Sequence, residues 1–74
     1  MLFNVYEIHD ISTFDAMTKQ IEVYADSIGK DLDVNQEWIK AHTLIEELEW
    51  GERKDTHMLW RRVQALLNDV VATL

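Results

Sequence analysis

Hydrophobic positions along the chain fall into three helical patterns, and the last of them is the cleanest. Between Thr56 and Leu74, at about 100° per residue, Leu59, Trp60, Val63, Leu66, Leu67, Val70, Val71 and Leu74 occupy one uninterrupted arc of roughly 140°. An arc that wide suits a helix packed against two neighbours at once, and two such neighbours lie upstream. Phe14, Met17, Ile21, Tyr24 and Ile28 alternate spacings of three and four, which places all five on one side of a helix. Val34, Trp38, Ala41, Leu44, Ile45 and Leu48 form the face of another.

Polar and glycine residues punctuate these patterns. Ser12 followed three residues on by Asp15 spells a capping box that starts the first helix. Gly29 suits the left-handed conformation that stops it. Asp33 with Gln36 is a second capping signal, Gly51 is a second stop, and Asp55 or Thr56 caps the last helix. The spacing therefore predicts helices over 12–28, 33–50 and 56–73, joined by connections short enough to make neighbours antiparallel.

Residues 1–11 form an arm. Phe3, Val5, Tyr6 and Ile8 favour an extended segment, although Leu2, Val5, Tyr6 and His9 also fit helical spacing. No later strand is present to pair with it, so it packs without a ladder, pairs with its own copy or adds to another protein's sheet edge. The expected fold is all-α: a small three-helix antiparallel bundle with a short N-terminal extended arm or strand, in a single domain spanning 1–74.

Composition narrows the functional classes. The 74 residues include no cysteine, which removes disulfides, cysteine-ligated zinc and thiol nucleophiles. So small a core makes self-association or a partner that completes it a natural expectation. No apolar run approaches the roughly 20 residues of a membrane span, and the N-terminus lacks the basic residues and long apolar run of a signal peptide. A cytoplasmic location and no membrane contact are expected.

Net charge is −7 and unevenly spread: residues 1–49 carry eleven acids against three lysines, whereas residues 50–74 are net +1. That field disfavours direct nucleic-acid binding and favours a protein partner with a basic surface. Asp15, Glu22, Asp26, Glu46, Glu47 and Glu49 are the candidates for steering such an encounter. Arg53, Lys54, Arg61 and Arg62 form the one basic cluster, too sparse for a nucleic-acid recognition helix.

One line of residues exceeds what the core requires. Ile39, Thr43, Glu46 and Trp50 follow at i, i+4, i+7 and i+11, roughly a quarter-turn from Trp38. Tryptophan is enriched at interface centres because it buries much area at low entropy cost. These four, with Tyr6 and Ile8 of the arm, are the candidate partner-binding residues. The competing expectation is that the arm folds back and buries them internally.

Catalytic patterns are sparse. His42, Glu46 and Glu49 fall on one side of the second helix, but three groups from one helix rarely enclose a metal, and a solvated polar face is the expected role. Glu46 and Glu49 also match the Glu-x-x-Glu spacing that resembles the magnesium-holding element of all-α nucleotide pyrophosphohydrolases of the MazG type. That resemblance implies a metal-dependent nucleotide hydrolase acting through Glu46 and Glu49. The family's later Glu-x-x-Asp is absent here, since Leu66 stands three residues before Asp69. No serine, histidine and aspartate pattern and no glycine-rich phosphate loop is present.

The leading expectation is a non-enzymatic protein-interaction module, without catalytic residues, metal or cofactor, that binds and regulates or inhibits a macromolecular partner. One version is a nucleic-acid mimic occupying a basic groove. The alternatives are a structural homo-oligomer, such as a homodimer, completed by the N-terminal arm, and the metal-dependent hydrolase.

Overall fold

A computed structural model of the chain describes residues 7–51 and 56–74. It is all-helical: α1 (Ile11–Ser27), a single 3-10 turn (Leu32–Val34), α2 (Gln36–Glu49) and α3 (Thr56–Thr73), with no strand among the described residues. The start of the arm, Tyr6 included, the basic pair Arg53-Lys54 and the expected cap at Asp55 lie outside the described residues.

The bundle is organised around α3. Leu59, Val63, Leu67 and Val70 are fully or almost fully buried, and Trp60, Leu66, Val71 and Leu74 pack against the same cluster. All eight residues of the predicted arc thus face the core. Each large aliphatic side chain removed from water contributes about 1.5–3 kcal/mol. The apolar side of α1 adds Phe14, Met17, Ile21 and Ala25, while α2 adds Trp38, Ala41 and Ile45. Of the helix pairs, α2 and α3 approach most closely.

The start of α1 differs from expectation. Asp10, not Ser12, is the N-cap: its carboxylate accepts the Thr13 N–H at 2.8 Å, and the Thr13 hydroxyl oxygen accepts the Asp10 N–H at 3.2 Å. Asp10-x-x-Thr13 and Ser12-x-x-Asp15 both spell a cap, and the first satisfies the helix amides two residues earlier. The apolar seam also drifts. After Ile21 it continues through Ala25, leaving Tyr24 half-buried and Ile28 at the surface as the C-cap. A 3.6-residue helix carries a strict 3.5-residue pattern sideways by about 20° per heptad, enough to move its last members off the core.

Gly29 ends α1 with φ +72°, and the Lys30 N–H donates to the Ala25 carbonyl at 2.9 Å while the Gly29 N–H reaches Asp26. This closes the paired hydrogen bonds of a left-handed helix stop. Gly51 repeats the conformation after α2, with φ +73°.

The connection into α2 also departs from expectation. Asp31 accepts the Asp33 N–H and opens the 3-10 turn, and Asn35, rather than Asp33, caps α2 by accepting the Trp38 N–H at 3.1 Å. Val34 therefore sits in the turn and is exposed, not on the apolar face of α2. Leu32 takes its place by joining Trp38 and Ala41 in the core cluster.

Candidate interaction surface

The arm and α2 supply the residues singled out by sequence, and the structure separates them. Ile8 is only 3% exposed and belongs to the core. Its backbone N–H donates to Gln64 Oε1 on α3 at 2.8 Å, which fastens the end of the arm to the bundle. Ile8 is therefore a packing residue and not a free docking residue, a correction to the sequence reading. A β-branched residue in an apparent strand looks the same in sequence whether it meets a partner or its own core.

On α2, Ile39, Thr43, Glu46 and Trp50 lie together on the outer surface, and the described part of the arm leaves all four exposed. Trp50 is 73% exposed, against 7% for Trp38 on the core face of the same helix. It is the C-cap of α2, and its backbone N–H donates to the Glu46 carbonyl at 3.0 Å, so the backbone is satisfied while the indole projects into solvent. The Thr43 hydroxyl donates back to the Ile39 carbonyl at 3.0 Å. Such a bond folds the hydroxyl against its own helix and leaves the methyl as the outward group.

Beside this line runs a cleft of about 260 Å³ between α2 and α3, lined by Lys40, Thr43, Leu44, Arg62 and Leu66. Its floor is leucine and its rim is cationic. Among the described residues neither Lys40 nor Arg62 has an ion-pair partner. Sequence alone does not bring Lys40 and Arg62 together, because their approach depends on how α2 and α3 pack.

The acidic residues divide into two groups. Asp15, Glu22, Asp26, Glu46 and Glu49 are exposed, whereas Glu47 is half-buried and already partnered. Glu22 and Asp26 of α1 meet Asp31 and Asp33 of the connection around a hollow of about 260 Å³ that also holds Lys30. Sequence spacing shows the stripe on α1, but only the fold brings the connection beside it.

His42 does not turn toward Glu46 and Glu49. Its Nδ1–H donates to the Trp38 carbonyl at 2.9 Å, and its ring lies 4.6 Å from Trp38 and 5.3 Å from Phe14 between centroids. Among the described residues no group of three or more histidine, aspartate or glutamate side chains is placed to hold a metal ion. The Asp10 carboxyl is held below its usual range by the Thr13 N–H, then by the Thr13 hydroxyl, with neighbouring His9 adding to the effect. That shift reports helix capping rather than catalysis.

Among the described residues no helix is long and apolar enough to cross a membrane. No protein-family model matches the chain, and neither characterised proteins nor solved structures give a match.

Proposed function

We propose that the protein is a small, non-enzymatic interaction module that docks onto another protein through the outer line of α2. The single observation that carries this reading is Trp50, 73% exposed at the end of a line that also exposes Ile39, Thr43 and Glu46. An indole held in water by a satisfied backbone gains more from a partner than any other group on this surface. The acidic side formed by Asp15, Glu22, Asp26 and the 31–33 connection steers the module toward a basic macromolecular surface, which it blocks. In a narrower version the acidic side competes for such a groove as a mimic of a nucleic-acid backbone, and that version alone predicts binding that weakens steeply with salt.

Two other readings receive less support. In the arm-completed oligomer the arm would have to leave its own bundle, yet Ile8 is seated in its own core and bonded to Gln64. The hydrolase needs Glu46 and Glu49 to converge with further ligands, and both are exposed with His42 turned away.

The test is capture by immobilised full-length chain, comparing the native sequence with I39S/W50S. Both substitutions are on exposed positions, so helical content by circular dichroism stays unchanged. A protein retained by the native chain is expected to be lost by the variant. Equal retention overturns the reading.

A further inference from the structure

The cleft between α2 and α3 is set apart by what lines it. The hollow beside Lys30 is surrounded by Glu22, Asp26, Asp31 and Asp33, and the one beside Arg61 also holds Glu7. A third, on the outside of α1, has Lys19 as its single cation. The α2–α3 cleft brings together two cations, Lys40 and Arg62, and no carboxylate. On a chain with 14 acidic residues against 7 lysines and arginines, that is a local reversal of charge.

The rest of the lining is apolar. Leu44 and Leu66 are half-buried and form the floor. The Thr43 hydroxyl donates to the Ile39 carbonyl at 3.0 Å, so Thr43 presents its methyl. Lysine and arginine side chains donate hydrogen bonds and never accept them. A ligand that satisfies this lining therefore brings acceptor oxygens and negative charge at one end and hydrocarbon at the other. The planar fork of an arginine matches both oxygens of a carboxylate, and a lysine adds a point charge beside it.

The surrounding charge limits the head group. Glu37, Glu47 and Asp69 lie about one helical turn from the lining residues along α2 and α3. None of them lines the cleft or is ion-paired to Lys40 or Arg62 among the described residues, and Glu47 is already partnered. Together with a net charge of −7 they penalise every further negative charge, which favours a carboxylate over a phosphate dianion. Size limits the chain. At the roughly 30 Å³ that liquid water gives each molecule, a cleft of about 260 Å³ holds roughly nine non-hydrogen atoms. A carboxylate takes three of these and leaves a chain of about six carbons.

We infer that the cleft binds a small organic acid, a carboxylate on a short apolar chain, with its head between Lys40 and Arg62 and its chain on Leu44 and Leu66. Ile39 and Trp50 lie outside the cleft, so the site goes beyond the docking role of the α2 line and does not depend on it.

Heptanoate has the required head and length and serves as the probe. Amide NMR of the full chain, titrated separately with heptanoate, acetate and heptanol, tests the site. Heptanoate is expected to shift the Thr43, Leu44, Arg62 and Leu66 amides along one saturation curve, with a dissociation constant of about 1 mM or tighter. Acetate lacks the chain and heptanol lacks the charge, so each is expected to bind at least about tenfold more weakly. K40Q/R62Q removes both cations at exposed positions and is expected to weaken heptanoate at least about tenfold while leaving the heptanol response as in the native chain. An unchanged heptanol response shows that the floor and the fold are intact. I39S/W50S is expected to bind heptanoate as the native chain does, so failure of this site and failure of the docking surface are read separately. No saturable shift at the cleft by about 10 mM heptanoate overturns the inference. So does heptanol binding as tightly as heptanoate, heptanoate binding that K40Q/R62Q leaves unchanged, or its loss in I39S/W50S.

Discussion

Trp50 and Leu67 mark the two extremes of what a large side chain does in this chain. Leu67 is fully buried, and truncation to alanine costs about 2–5 kcal/mol through lost burial and the cavity left behind. Trp50 is mostly in water, so W50A changes stability by no more than about 0.5 kcal/mol. Chemical denaturation of the two variants separates core from working surface directly. Asp10, by contrast, links stability to pH. Its folded-state pKa is lowered by the Thr13 N–H and hydroxyl, so the cap contributes fully above the ordinary value of 3.8 and is lost as pH falls through the folded value. Asparagine caps about as well as aspartate but does not titrate. Thermal melts from pH 7 to pH 2 should therefore show D10N matching the native chain at neutral pH and losing less on acidification. Equal acid sensitivity in the two chains would remove Asp10 from the account.

Each helix is bounded by local chemistry and held by shared core. Asn35 caps α2 and its side-chain N–H also donates to the Thr73 hydroxyl at 3.0 Å, tying the start of α2 to the end of α3. N35A should cost about 1 kcal/mol, measured by urea denaturation. At Gly29 a Cβ would meet nothing within 4 Å, but φ is +72°. G29A should therefore cost about 1 kcal/mol from the backbone alone, with no steric contribution. How far these elements are legible in sequence depends on the signal involved. The arc of α3 is complete because eight apolar residues on one long helix leave no other arrangement. Caps are less legible. Asp10, Ser12, Asp31, Asp33 and Asn35 are all competent caps, and the choice among them is made by which backbone amides the fold leaves open. Ile8 reads as a docking residue because burial by another element leaves no trace in its own neighbours. The line from Ile39 to Trp50 is legible as a surplus of apolar groups beyond the core face, whereas the cleft holding Lys40 and Arg62 requires the packing of α2 on α3.

At the scale of the whole molecule, charge and exposed indole are arranged on different sides. Glu22, Asp26, Asp31 and Asp33 gather on the side of α1 and its connection, and Trp50 stands at the end of α2. A module built this way uses long-range attraction to find a basic surface and short-range apolar burial to hold on. The two contributions respond differently to conditions. Raising salt from about 0.1 M to about 1 M shortens the screening length from about 10 Å to about 3 Å, which weakens steering but not burial. Association governed by α2 should thus persist in high salt with a slower on-rate, whereas a groove-filling acidic mimic should be released.

The central claim is that the outer line of α2 is the working surface, and fluorine NMR of the full chain labelled with 5-fluorotryptophan tests it most directly. Three tryptophans give three resonances, and W50F assigns the one from Trp50. As a captured partner is added, the Trp50 resonance is expected to shift and broaden while the buried Trp38 resonance stays fixed. A Trp50 resonance that remains at its dilute, solvent-exposed position while association proceeds would contradict the claim.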